Sequence, residues 1–238
     1  MRVLVACEES QRVCMAFRER GHEAYSCDIQ ECSGGHPEWH IQGDCLKLLN
    51  GGGYSFVTMD GGEHYVPEWD LLIAHPPCTY LSNAGAVRLF QNGVLNRDRY
   101  EKGLQGKDFF MRCLNADCKR IAVENPVPTR IYGLPPYTQT IQPYEYGHPY
   151  SKKTCLWLKG LPPLRPTNII CDNIISWVKG GSKDKYGRQR KRAGTTYKDS
   201  KMRSKTFEGI AAAMAEQWGR DDLTAFQQVS IFDLTEDI

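Results

Sequence analysis

The stretch DLLIAHPPCTYLSNAG, residues 70–85, decides the fold. Leu71 to Ala74 form a short branched apolar run that reads as a strand buried on both faces. Such strands belong to parallel sheets covered by helices on either side. The run then meets Pro76 and Pro77, whose fixed φ angles and missing N–H groups end the strand abruptly. A thiol, Cys78, sits directly on that stop.

Outward from this strand, apolar runs alternate with helix-like segments. RVLVA (2–6) reads as a first strand, with Ser10 as a cap and Val13, Ala16 and Phe17 on one helical face before a stop at Gly21. EAYSC (23–27) is a second strand ending at Asp28, and RIAV (120–123) and TCLWL (154–158) are further strands. Phe109, Phe110, Cys113 and Leu114 have helical spacing within residues 101–116. Phe207, Ile210, Ala211, Met214 and Trp218 recur as one wide apolar stripe of a helix that stops at Gly219. This alternation predicts an α/β fold, a mostly parallel sheet with helices on both faces, whose ligands bind at the carboxyl ends of the strands. Residues 50–68 read as a Gly-rich loop or hairpin. LPPLRPT (161–167) breaks regular structure and is expected to separate the core from a Lys- and Arg-rich region downstream.

With 238 residues, 41% hydrophobic and 24% charged, the chain has the make-up of one large domain or a core with a small appendage. No run approaches the roughly 20 apolar residues of a membrane span, and the N-terminus lacks a signal-peptide layout. The ten cysteines are therefore expected to be reduced thiols in a cytoplasm. The net charge of +2 hides an asymmetry: residues 179–205 hold eleven Lys or Arg against two Asp, a local +9, which leaves −7 elsewhere. Such a block is either a solvated surface or the footprint of a polyanion.

The strand ends carry the chemistry. Asp28 lies where a ribose hydroxyl is usually held, about 20 residues beyond the first strand–helix turn, and Asp44 is placed to face an adenine amino group. The glycine fingerprint of a dinucleotide site is missing, which argues against NAD. Pro77 and Cys78 follow one strand and Glu124 and Asn125 another, so a thiol and a carboxyl group are expected at one rim. Cys27, Cys32, His36 and His40 have a spacing that superficially suits zinc, although the loop between them reads as irregular; no metal is expected. His75 either lines the pocket or makes a structural hydrogen bond.

In this order, Pro77–Cys78 and Glu124–Asn125 resemble the DNA cytosine-carbon-5 methyltransferases, in which Pro-Cys follows the fourth strand and Glu-Asn-Val the next; here Pro126 replaces Val. YGHPYSKKTCLWL (146–158) is similar to that family's later segment, with Lys152 and Thr154 where two arginines stand, and helix 205–218 to its final helix. The resemblance implies a Rossmann-like S-adenosylmethionine-dependent core at 1–162, a small basic DNA-recognition region at 163–203, and a closing segment at 204–238. It implies Cys78 as nucleophile, with Pro77 and Asn125 in the catalytic loops. It also implies cofactor contacts at Glu8, Ser10, Asp28, Ile29, Asp44, Cys45 and Pro76, and DNA contacts at Lys152, Lys153, Thr154, Lys185, Arg188, Arg190, Lys191 and Arg192. The family's glycine-rich first motif is replaced by CEESQR (7–12), and the compact recognition region is similar to phage-encoded members.

The chemistry fits these residue types. Carbon 5 of cytosine is too weak a nucleophile to take a methyl group until a thiolate adds to carbon 6. Glu124 is expected to protonate N3, with its pKa raised by a dry pocket. A paired base must be extruded first, and a basic block would hold the phosphates. DNA is the expected partner, with no membrane and no obligate protein partner. Action on a free cytidine nucleotide, transfer of another group, or DNA binding without catalysis are the alternatives.

Overall fold

The computed structural model describes residues 1–177 and 204–220. In chain order, strand β1 (Arg2–Ala6), helix α1 (Arg12–Arg18), β2 (Glu23–Asp28) and β3 (His40–Gln42) lead to the hairpin β4 (Tyr54–Val57) and β5 (Glu63–Val66). Next come β6 (Leu71–Ala74), short α2 (Asn83–Ala86), the small hairpin β7 (Phe90–Gln91) and β8 (Val94–Leu95), α3 (Arg97–Leu114) and β9 (Ile121–Pro126). The chain continues with β10 (Gln139–Ile141), β11 (Tyr150–Ser151), β12 (Thr154–Lys159), β13 (Ile175–Ser176) and α4 (Glu208–Trp218).

The central sheet has seven strands in the order β10-β12-β9-β6-β1-β2-β3. The five from β9 to β3 run parallel, and β12 pairs antiparallel with both β9 and β10. This is the expected Rossmann-like α/β architecture, with the strand of the deciding stretch, β6, between β1 and β9. Period-2 alternation explains why all four residues of β6 are buried. Leu71 and Ile73 join Val3 and Val5 under α1 and α4, while Leu72 and Ala74 join Leu4 and Val123 on the face that α3 covers with Phe110 and Cys113.

Helix α1 is capped differently from the sequence expectation. Ser10 gives it no side-chain cap; the N-cap is Gln11, in left-handed conformation. The Glu8 carboxylate instead accepts from the amides of Val13 at 2.7 Å and Cys14 at 3.1 Å, satisfying donors that a helix start leaves orphaned.

Leu161 to Thr167 lack regular structure, as the prolines dictate, and they dock on the core. Leu164 is buried and exchanges two backbone hydrogen bonds with the Gln139 amide, at 2.6 and 2.7 Å. Pro162 accepts from the Trp218 indole at 3.0 Å. Trp218 is fully buried and ties α4 to that segment. Trp218→Ala is expected to lose about 3–5 kcal/mol through the cavity and the lost anchor. A fall in urea midpoint at constant slope is the check.

Beyond that segment, β13 pairs with β11, and the Trp177 ring lies 4.7 Å from Tyr150 and 4.8 Å from Phe207. The chain therefore leaves the described core at Trp177 and re-enters at the same aromatic cluster. Of the expected basic region, residues 178–203 lie outside the described residues, as do 221–238 of the expected closing segment. Among the described residues no helix is long and apolar enough to cross a membrane.

Candidate active site

The β6 and β9 ends emerge side by side and are knitted together. Register pairs Ala74 with Val123, so His75 to Cys78 and Glu124 to Pro126 leave the same edge of the sheet. The Asn125 side-chain amide donates to the Pro76 carbonyl at 2.9 Å. Further along, Asn83 N–H donates to Val127 at 3.0 Å and Thr129 N–H to Leu81 at 2.7 Å. The Cys78 carbonyl accepts from Ser82 N–H at 3.1 Å, closing a turn just after the thiol. Arg99 donates to the carbonyls of Thr79 and Gly85 and lies 4.8 Å from the Tyr80 ring centre. Pro76 is buried, Pro77 exposed and Cys78 half-buried. The stop after β6 is thus held by backbone stiffness and by contacts from β9 and α3.

A second feature of this rim is a buried pair. His75 Nδ1 donates to Glu124 Oε2 at 3.0 Å, with both side chains no more than 14% exposed. Both residues continue the parity of Ile73 and Ala122, so they share the α1–α4 side of the sheet. Burial alone would push the Glu124 carboxyl up, as the sequence reading expects. The hydrogen bond from His75 and the charges of Lys152 and His75 outweigh it, and Glu124 is held below the usual carboxylate value of 4.5. Burial likewise opposes the charged imidazole, but Glu124 and then Glu8 raise His75 above 6.5. The expectation of a raised Glu124 pKa is corrected: the His75 hydrogen bond and the charges of Lys152 and His75 hold the carboxyl down against burial. Burial, the leading cause, pushes the Glu8 carboxyl up despite its two helix amides.

Two buried polar atoms beside Pro76 have no protein partner among the described residues: His75 Nε2 and Asn125 Oδ1. The assignment of Asn125 is fixed, because only its nitrogen can donate to the Pro76 carbonyl. Groups of this kind are ordinarily satisfied in a native protein, so both atoms are available to a ligand or an ordered water. Glu124, Lys152 and Thr154 also line a cavity of about 10 Å³ with Ile141, Thr206, Phe207, Ile210 and Met214. A more spacious groove, about 490 Å³, lies at the opposite edge of the sheet between α1 and Trp39, remote from this rim.

The expected nucleoside contacts occupy the ends of β1, β2 and β3. Asp28 Oδ1 accepts from Gln30 N–H at 2.9 Å, and its neighbour Ile29 is 76% exposed, an apolar side chain available for stacking. Asp44 is exposed and accepts from Leu46 N–H, which caps the turn that Cys45 begins. Cys45 is buried, its sulfur 3.8 Å from that of Cys7. Ser10 is buried, with Gly34 packed against its carbonyl. Cys7 and Gln11 both have φ near +60°, so the first loop makes without glycine the kind of turn glycine favours. Each such residue costs on the order of 1 kcal/mol.

Three of the four residues with zinc-like spacing are engaged elsewhere. His40 is buried between Ser26 Oγ and the Gln30 carbonyl, His36 pairs with Glu38 and stacks on Trp39, and Cys27 reaches the Gly43 carbonyl. No metal-holding cluster occurs among the described residues. Of the expected DNA contacts, Lys152 is half-buried, Lys153 exposed and Thr154 buried. Lys185, Arg188, Arg190, Lys191 and Arg192 lie outside the described residues.

The capping role of Glu8, the Arg99 clamp and the His75–Glu124 pair go beyond the sequence reading. Strand parity was the available signal for the last: His75 and Glu124 fall on one face of adjacent strands. No family model and no curated protein matches the chain. A solved structure described as a candidate DNA modification methyltransferase encoded within an E. coli prophage is similar, at 13% identity and a TM-score of 0.41. The match covers 74% of this chain and 53% of that one, so the chain spans about half the neighbour's length.

Proposed function

We propose that the chain is a DNA cytosine-5 methyltransferase that uses S-adenosylmethionine and Cys78 as its nucleophile. The observation that carries this reading is the joining of the turn that holds Pro77–Cys78 to Glu124–Asn125, at the carboxyl ends of the adjacent parallel strands β6 and β9. The acidic groups of Asp28 and Asp44 and the exposed face of Ile29 fit a nucleoside, so these residues would hold the cofactor. When bound, S-adenosylmethionine supplies an electrophilic methyl group.

The Cys78 thiolate adds to carbon 6 of an extruded cytosine, and the electron pair released makes carbon 5 nucleophilic. N3 gains a proton from the Glu124 side of the ring. Asn125 Oδ1, already oriented by the Pro76 contact, accepts from the exocyclic amine. After transfer a base removes the carbon 5 proton, and the sulfur leaves by elimination. Rigidity matters here, since a displacement of about 1 Å can cost on the order of 100-fold in rate. Lys152 lies 6.0 Å from the ring centre of Phe207, which packs against Trp177, so a lysine at the rim is placed to meet a phosphate.

Bisulfite sequencing of DNA from cells expressing the protein tests the reading. Cytosines protected within one short sequence context are expected; uniform conversion would reject it. The loop geometry gives a second expectation. A Cβ at Gly85 would clash with the Thr79 carbonyl oxygen. Gly85→Ala therefore displaces the segment next to Cys78, reducing stability by about 1–3 kcal/mol and methylation by at least about 10-fold. Denaturation and single-turnover methylation measure the two effects separately.

A further inference from the structure

We propose that His75, through its 3.0 Å hydrogen bond to Glu124 Oε2, stores the proton that N3 of the cytosine receives. The proposal rests on the methyltransferase reading for where the proton goes, though not for where it is kept. An ionised Glu124 has no proton of its own to give, and the nearest donor is the imidazole beside it. The groups facing His75 are Glu124 on β9, Glu8 in the loop between β1 and α1, and Lys152 just before β12. The two carboxylates favour the imidazolium, while burial and Lys152 oppose it. From α4 and the residues leading into it, the adjoining cavity is lined by Thr206, Phe207, Ile210 and Met214, none of them charged.

The step balances. As the Cys78 sulfur bonds to carbon 6, the His75 Nδ1–H bond breaks and its proton passes to Glu124. Glu124 releases a proton to N3, forming the N3–H bond. His75 ends neutral, Glu124 ends ionised as it began, and the thiolate charge is quenched in a neutral adduct. Glu124 is the conduit, and His75 is a positioning residue that sets its protonation.

Two arms test this on the full chain. In the first, ¹⁵N-histidine NMR follows His75 through a pH titration without DNA or cofactor. The imidazole is expected to remain doubly protonated above pH 6.5, with its titration moving down by at least one pH unit in Glu124→Gln. A His75 already neutral at pH 6.5, or one unmoved by that substitution, overturns the proposal. This arm stands even if His75→Gln fails to fold.

In the second arm, single-turnover adduct formation on 5-fluorocytosine duplexes with S-adenosylmethionine is measured across pH for wild type and His75→Gln. Wild type is expected to slow as pH rises through the His75 titration. The variant should be about 100-fold slower and lack that limb. A variant with wild-type rate and pH profile overturns the proposal. No adduct from wild type on any sequence rejects the methyltransferase reading instead, and leaves the proton store to be judged by the titration alone.

Discussion

Cys78→Ser is expected to abolish the covalent adduct with 5-fluorocytosine DNA and to lower methyl transfer on the order of 10⁴-fold or more. The size follows from chemistry. A serine hydroxyl does not ionise near neutral pH, and the catalytic effect of the remaining groups cannot replace the missing carbon 6 bond. Stability should hardly change, because Cys78 is half-buried and its loop is fixed by backbone groups of Leu81, Ser82 and Asn83. Duplex binding should survive for the same reason. Thermal melts, gel shifts and single-turnover transfer separate these outcomes, and a fully active serine variant would remove Cys78 from the chemistry.

Glu124→Ala is expected to affect both folding and rate. It removes the partner of a buried imidazole and leaves an empty space, and breaking a buried pair in this way costs about 3–5 kcal/mol. Methylation should fall about 10²–10⁴-fold, the usual range for lost acid catalysis. Glu124→Gln keeps the volume and a hydrogen-bonding oxygen, so it should recover much of the stability without recovering the rate. The stability gap between wild type and Glu124→Ala carries a pH signature. Glu124, lowered in the fold, contributes fully above 4.5 and loses its contribution as pH falls through its folded value. His75, raised in the fold, contributes fully below 6.5 and loses its contribution as pH rises through its folded value. The gap should therefore be widest between pH 4.5 and 6.5 and narrow on either side. Urea denaturation at a series of pH values measures it.

The fold was legible because the strands of a doubly covered sheet are short continuous apolar runs, and LLIA, RIAV and the antiparallel TCLWL all satisfy that physics. The stripe from Phe207 to Trp218 was equally plain, since its period admits only a helix. Loops were less legible. Glu8 is expected as a cofactor contact, and its buried carboxylate also accepts from the first amides of α1; nothing local in CEESQ signals that cap. Leu161–Thr167 reads as a linker because prolines forbid regular structure, although they do not forbid docking. Glu124 was found by its position, whereas its protonation depends on His75, 49 residues away, and Lys152, a long-range arrangement that only the fold creates.

The central claim is a bond between one sulfur and one carbon. The 238-residue protein, incubated with S-adenosylmethionine and 5-fluorocytosine duplexes, digested and mapped by mass spectrometry, tests it directly. A cross-linked peptide carrying the nucleotide on Cys78 is expected. Attachment at another of the ten cysteines, or methylated cytosine formed with no thioether intermediate, would contradict it.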